Sequence, residues 1–134
     1  MTNKIAKALL VDDNETTNFY NEDVIEETDL FEEIVVLPSG TETIEYFENI
    51  KEKNLELPNL MFLDINMPDY DGFEVLEALE ELFEEDLDAV KVCMLTTSNH
   101  KKDIEKYEKF VNAVDYIAKP LMPERIAEVI EKHF

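Results

Sequence analysis

Phe62-Leu63-Asp64-Ile65-Asn66-Met67-Pro68-Asp69-Tyr70-Asp71-Gly72, FLDINMPDYDG, changes character in its middle. With Leu60 and Met61 before it, the stretch opens as a buried strand; Asp64 stands where that strand stops, and Pro68 and Gly72 punctuate a loop. A carboxylate on the lip of a core is desolvated at a cost, so its presence asks for a chemical reason.

Working outward, the same form recurs. Ala8–Val11 is a short apolar run ending in Asp12-Asp13, Ile34–Leu37 is closed by Pro38-Ser39-Gly40, Val92–Leu95 ends at Thr96, and Tyr116–Ala118 runs into Lys119-Pro120. Helical patterns fill the gaps. Asn14-Glu15-Thr16-Thr17 is a helix-start signature leading to Phe19, Tyr20, Val24 and Ile25. Thr41 is placed to cap a helix bearing Ile44, Phe47 and Ile50. Phe73, Leu76, Leu79 and Phe83 form an amphipathic stripe. Ile104, Tyr107 and Val111 mark a further helix closed by Asn112 in a left-handed cap, and Ile126, Val129, Ile130, His133 and Phe134 mark the last. Strands that read as continuously apolar suit a parallel sheet covered on both faces. The pattern predicts a doubly wound α/β fold in one domain over residues 1–134, its core beginning near Lys7 after a short tail.

The 134 residues suffice for a real core. A net charge of -21 argues against a nucleic-acid partner, because phosphate contacts need clustered Lys and Arg. The charge is uneven: residues 1–90 carry 4 basic and 26 acidic side chains, residues 91–134 carry 8 and 7. Solvated acidic helices are the ordinary reading, yet the asymmetry also singles out a near-neutral face suited to a partner. One cysteine, Cys93, leaves no internal disulfide, and no apolar run is long enough for a leader or a membrane span. The expectation is a cytoplasmic protein that does not engage a membrane.

In open parallel sheets, ligands bind outside the carboxyl ends of the strands. Those ends here carry Asp12, Asp13, Asp64, Thr96 and Lys119. Three acids at one edge repel unless a cation neutralises them, and hard oxygen donors suit Mg²⁺ better than Zn²⁺. Lys119 adds a compact positive charge and Thr96 a hydroxyl, a set fit to cradle a phosphoryl group on Asp64.

Asp12-Asp13, Asp64 in FLDINMPDYDG, Thr96 in MLTTS and Lys119 in DYIAKP together resemble the receiver domain of two-component response regulators. The resemblance implies a flavodoxin-like (βα)5 fold with strand order 2-1-3-4-5; receivers are themselves an example of that order, so it comes from the resemblance. It implies that Asp64 takes phosphate from a phosphohistidine on a sensor histidine kinase or histidine phosphotransfer protein. Asp13, Asp64 and the backbone carbonyl of Asn66 would bind Mg²⁺, with Asp12 acting through water. Lys119 would pair with the phosphate, Thr96 would swing toward it, and Tyr116 matches the family's aromatic switch. Residues 101–134 would form the face for a downstream protein partner. Such a protein is no enzyme beyond promoting its own phosphorylation and dephosphorylation. The chain departs from the family at Thr97, usually Ala or Gly, where extra bulk narrows access to Asp64, and at Asn112, usually Gly. Ser98 stands where the family tunes phosphate lifetime.

Two other classes compete. A phosphohydrolase of haloacid-dehalogenase type would carry Asp-x-Asp after the first strand, whereas this chain has adjacent Asp12-Asp13, and Asp64-Ile65-Asn66 lacks the second acid. An interaction module that lost phosphorylation would lack one of Asp13, Asp64, Thr96 or Lys119, and all four are present. A Ca²⁺ loop in DINMPDYDG is rejected, because Pro68 and Val75 fall at ligand positions five and twelve. His100 and His133 read as incidental, Cys93 as inert core, and the tyrosines and phenylalanines as core or half-exposed packing.

Overall fold

The computed structural model describes residues 4–84, 89–96, 105, 109, 110 and 112–134. Five strands, β1 (Ile5–Val11), β2 (Phe31–Leu37), β3 (Leu60–Asp64), β4 (Lys91–Thr96) and β5 (Ala113–Ala118), form one parallel sheet in the order β2-β1-β3-β4-β5. The described helices are α1 (Glu15–Glu27), α2 (Gly40–Lys53), α3 (Gly72–Phe83) and α4 (Pro123–His133). This is the flavodoxin-like topology expected. Ile104, Tyr107 and Val111 of the expected helix fall outside the described residues, as do Thr97, Ser98 and His100, whereas Asn112 is described: it is buried just before β5 and its carbonyl accepts the Val92 N–H at 2.7 Å.

The central strand β3 is buried along its whole length, as are the second half of β1 and nearly all of β4, because both faces of the sheet are covered there. Leu9, Val11, Met61, Leu63, Val92 and Met94 pack with Phe47, Ile50, Leu76 and Leu79 of α2 and α3. Their neighbours in the chain, Ala8, Leu10, Leu60, Phe62, Cys93 and Leu95, pack on the other face with Ile25 of α1 and Ile126, Val129 and Ile130 of α4. The register aligns Val11 with Leu63, Asp64 with Leu95 and Thr96 with Ala118, so the polar strand ends gather at one edge.

Several boundaries differ from the sequence reading. β1 and β2 begin three residues earlier than their apolar runs, at Ile5 and Phe31, because Ile5 is buried and its N–H donates to the Leu30 carbonyl. β5 begins at Ala113, and an irregularity in its pairing with β4 admits the extra residue Val114. α2 is capped by Ser39, whose hydroxyl accepts from the Glu42 N–H at 3.0 Å, and not by Thr41. The left-handed asparagine cap is Asn54, at φ 54 and ψ 48, closing α2.

α1 departs most. Its buried residues are Asn18, Asn21, Val24 and Ile25, while Phe19 is 78% exposed and Tyr20 47%. The aromatic residues thus face solvent and two amides face the sheet. Asn18 earns its inward place by donating from Nδ2 to the Asp12 carbonyl at 2.7 Å. Among the described residues, no helix is long and apolar enough to cross a membrane.

Candidate functional site

The sheet edge brings together the residues singled out from the sequence. Asp12 follows β1, Asp64 ends β3, Thr96 ends β4 and Lys119 follows β5. Asp12, Asp64 and Thr96 are 1%, 2% and 3% exposed, whereas Asp13 is open to solvent. Carboxylate oxygens of Asp12, Asp13 and Asp64 all lie within 4.8 Å of one another. Three hard oxygen donors at that spacing, one exposed and two buried, fit a divalent cation of the Mg²⁺ kind. Asn66, on the exposed loop after β3, donates its N–H to Asp64 Oδ1 at 3.4 Å.

Lys119 straddles the pair of buried acids, its Nζ 2.5 Å from Asp12 Oδ2 and 3.0 Å from Asp64 Oδ1. Its N–H donates to the Thr96 carbonyl at 2.7 Å, so β4 fixes where the lysine leaves the sheet, and the following Lys119–Pro120 peptide is cis. The contact with Asp12 was not expected from the sequence, which paired Lys119 with an incoming phosphate alone. Asp12 is held from three sides: its Oδ1 accepts the Asn14 N–H at 3.0 Å, its carbonyl accepts from Asn18, and Oδ2 takes Lys119.

Burial pushes Asp64 up to about 6, and the Asp12 charge adds to that push against the opposing pull of Lys119 and the Asn66 N–H. Burial works against the Lys119 ammonium, but the two carboxylates outweigh it and raise its pKa. The raised Asp64 value fixes a sign. The folded chain holds this proton more tightly than the unfolded chain, whose carboxylate titrates near 3.8. The stability from this group is therefore full below about pH 4 and is lost as pH rises through 6. Asp64→Asn is expected to melt roughly 5 °C above the parent at pH 7.5 without divalent ions. The gap should close toward pH 4; a gap independent of pH would contradict the assigned burial cost.

Tyr116, in β5, is half-buried against the core beneath α2 and α3, and its carbonyl accepts from Arg125 Nη2 at 3.1 Å. His133 is less incidental than its sequence context suggested: Nε2 lies 3.2 Å from Asp115 Oδ2, tying the end of α4 to β5. Cys93 is fully buried, and burial, with Asp115 nearby, pushes its thiol well above the ordinary range, in keeping with an inert core residue.

One residue of the opening stretch was missed. Burial pushes Asp69 upward, but the Thr41 hydroxyl and the N–H groups of Thr41, Tyr70 and Gly40 together outweigh it and hold its carboxyl down at about 2. Its partners stand 28 and 29 positions away, and the local sequence carries no sign of them. Asp71, by contrast, is a legible cap: Asp71-x-x-Glu74 forms a full capping box that starts α3.

Comparison with known proteins agrees with this geometry. Residues 8–131 match the response regulator receiver domain family. The response regulator Rcp1 of Synechocystis sp. is 33% identical over 106 residues, covering 78% of this chain and 71% of that protein. The chemotaxis protein CheY of Listeria monocytogenes is 28% identical over 126 residues, covering 94% and 96%. The crystal structure of a two component response regulator from Cytophaga hutchinsonii superposes with a TM-score of 0.85 at 29% identity, covering 96% of both chains.

Proposed function

The chain belongs to the response regulator receiver domain family, and from that premise we propose that it is a phosphoacceptor that signals from Asp64. The observation that carries this reading is the convergence of Asp12, Asp13 and Asp64 with Lys119 bridging the two buried acids. Like charges this close disfavour one another's ionised form unless a positive charge offsets them.

Asp64 is the nucleophile. Its carboxylate oxygen forms a P–O bond as the P–N bond of a donor phosphohistidine breaks, the electron pair leaving with the imidazole nitrogen. Asp13, Asp64 and the Asn66 carbonyl would hold Mg²⁺, with Asp12 acting through water. Bound there, the ion would supply the positive charge that offsets three acids and the phosphoryl oxygens. Lys119 offers a second positive charge once the phosphoryl group is in place, and Thr96 a hydroxyl. The output is a population shift: the phosphorylated site favours one arrangement of Thr96 and Tyr116, and the partner surface expected from the sequence within residues 101–134 presents it to a downstream protein. The protein works in the cytoplasm, without nucleic acid or membrane, and catalyses nothing beyond its own phosphorylation and dephosphorylation.

Supplied with a small phosphodonor and Mg²⁺, the chain should take up one phosphoryl group per molecule, and none when the ion is chelated before labelling. Steady release of many phosphates per chain would instead mark a phosphohydrolase.

A groove beside the site supports docking of the donor protein there. Phe19 and Asp13 line one groove of about 510 Å³ beside the acid trio, together with Glu15, Glu22 and Val36. A solvent-facing aromatic among acids suits a donor surface carrying apolar and basic residues. Phe19→Ala is expected to slow transfer from the histidine-phosphorylated donor roughly 10-fold while labelling by a small phosphodonor stays unchanged. Equal slowing with both donors would place Phe19 in folding instead of docking.

A further inference from the structure

We infer that Asp69 is a positioning residue for the acid site: it clamps the loop after Asp64 to the first turn of α2 and thereby sets the direction of the Asn66 carbonyl. The inference rests on the reading of Asp64 and its metal given above.

The loop from Asn66 to Asp71 is pinned at both ends. The Ile65 N–H donates to the Leu95 carbonyl at 3.0 Å, and the Gly72 N–H returns to the Ile65 carbonyl at 2.8 Å. Its middle is held from outside. Asp69 Oδ1 accepts the Gly40 N–H at 3.3 Å, and Oδ2 accepts both the N–H and the hydroxyl of Thr41 at 2.7 Å. The first helical N–H groups lack partners within their own helix. In α2, Ser39 satisfies Glu42 with its hydroxyl and Thr43 with its carbonyl, and the remaining two, Gly40 and Thr41, go to Asp69. The backbones also meet: a Cβ on Gly40 would sit 2.8 Å from Tyr70 Cβ and 3.0 Å from its carbonyl oxygen. Gly40 admits the contact and Asp69 locks it.

A carboxylate ligand can adjust through its side-chain torsions, but a backbone carbonyl points wherever its loop points. Among the proposed ligands, the Asn66 carbonyl is the one whose aim depends wholly on the loop. Groups that orient a ligand from behind commonly set metal affinity. Coupling of this kind is reciprocal, so an ion bound at the acid trio must also tighten the clamp.

The test titrates the full chain with MgCl₂, following backbone amide shifts, in the parent and in Asp69→Ala, Asp69→Asn and Ser39→Ala. Ser39→Ala is the control, since it removes a cap from the same helix without touching the loop. Both alanine variants should melt a few degrees lower, roughly 3–5 °C. Asp69→Ala alone should weaken Mg²⁺ binding about 10-fold, Asp69→Asn should restore most of it by keeping an acceptor, and Ser39→Ala should stay within about twofold of the parent. In the parent, Mg²⁺ should slow hydrogen exchange at the Gly40 and Thr41 amides. Equal Mg²⁺ affinity in Asp69→Ala and Ser39→Ala, whether both weakened or both unchanged, would overturn the inference and leave Asp69 a helix cap. A parent that binds Mg²⁺ and labels on Asp64 keeps the functional reading intact in that event, whereas a parent that does neither would overturn both.

Discussion

Asp64→Asn is expected to bring phosphoryl labelling down to background, a fall on the order of 10³-fold or more, because the amide has no anionic oxygen to offer phosphorus. The variant should remain folded, since Asn keeps the shape of the side chain and Lys119 keeps Asp12 as its partner at 2.5 Å. Asp13→Asn should behave differently. Asp13 is exposed at the mouth of the trio, and in the proposed reading it contributes charge, not the reacting atom. Its loss should weaken metal affinity by at least the ~10–100-fold that outer-shell substitutions cost. Labelling should then recover as Mg²⁺ is raised, and no Mg²⁺ concentration should rescue Asp64→Asn. A variant at Asp64 that labels like the parent would remove the nucleophile from the account.

Lys119→Met should produce the largest change in stability. The side chain leaves, and Asp12 and Asp64, 1% and 2% exposed, face each other without the ammonium that lies 2.5 and 3.0 Å from them. Removing one partner of a buried ionic group costs about 3 kcal/mol or more, which corresponds to roughly 10 °C in melting temperature at pH 7.5. The sign follows from the titration of each partner. The folded pKa of Lys119 is raised, so its contribution is complete throughout the neutral range and is lost only above the ordinary lysine value. The penalty in the variant belongs to the acids, so it should shrink as pH falls and Asp64 takes a proton, which it does at a higher pH than in the parent because the pull of Lys119 is gone. Mg²⁺ should also stabilise the variant more than the parent, because the ion supplies the missing charge. Melting unchanged by the substitution, or identical Mg²⁺ effects on both proteins, would show that the lysine does not hold the acids.

Much of this architecture is legible in the sequence. The strands could be read because burial on both faces leaves an apolar run in each, and each run stops at the residue where the sheet edge turns polar. Asp64 follows Leu63, and Thr96 follows Leu95. That same rule gathered the site, since residues at the carboxyl ends of parallel strands share an edge. The illegible parts depend on partners distant in the chain. Phe19 looked like the inner face of α1, but the helix is turned by the Asn18 bond to the Asp12 carbonyl, a tertiary contact that periodicity does not encode. Thr41 looked like a cap because it is a threonine before an apolar stripe, while its hydroxyl serves Asp69 across 28 positions. The sequence points Lys119 to the phosphate, yet it also neutralises Asp12, 107 positions away, and charge alone does not say which acid a lysine will choose.

The most direct measurement is reductive trapping of the phosphorylated chain. An aspartyl phosphate is an acyl phosphate, and borohydride converts it to homoserine at the phosphorylated position, where peptide mass spectrometry can find it. The account predicts homoserine at position 64 after treatment with a small phosphodonor and Mg²⁺, and none when the ion is chelated first. Homoserine at another aspartate, or a phosphate that resists borohydride, would contradict it.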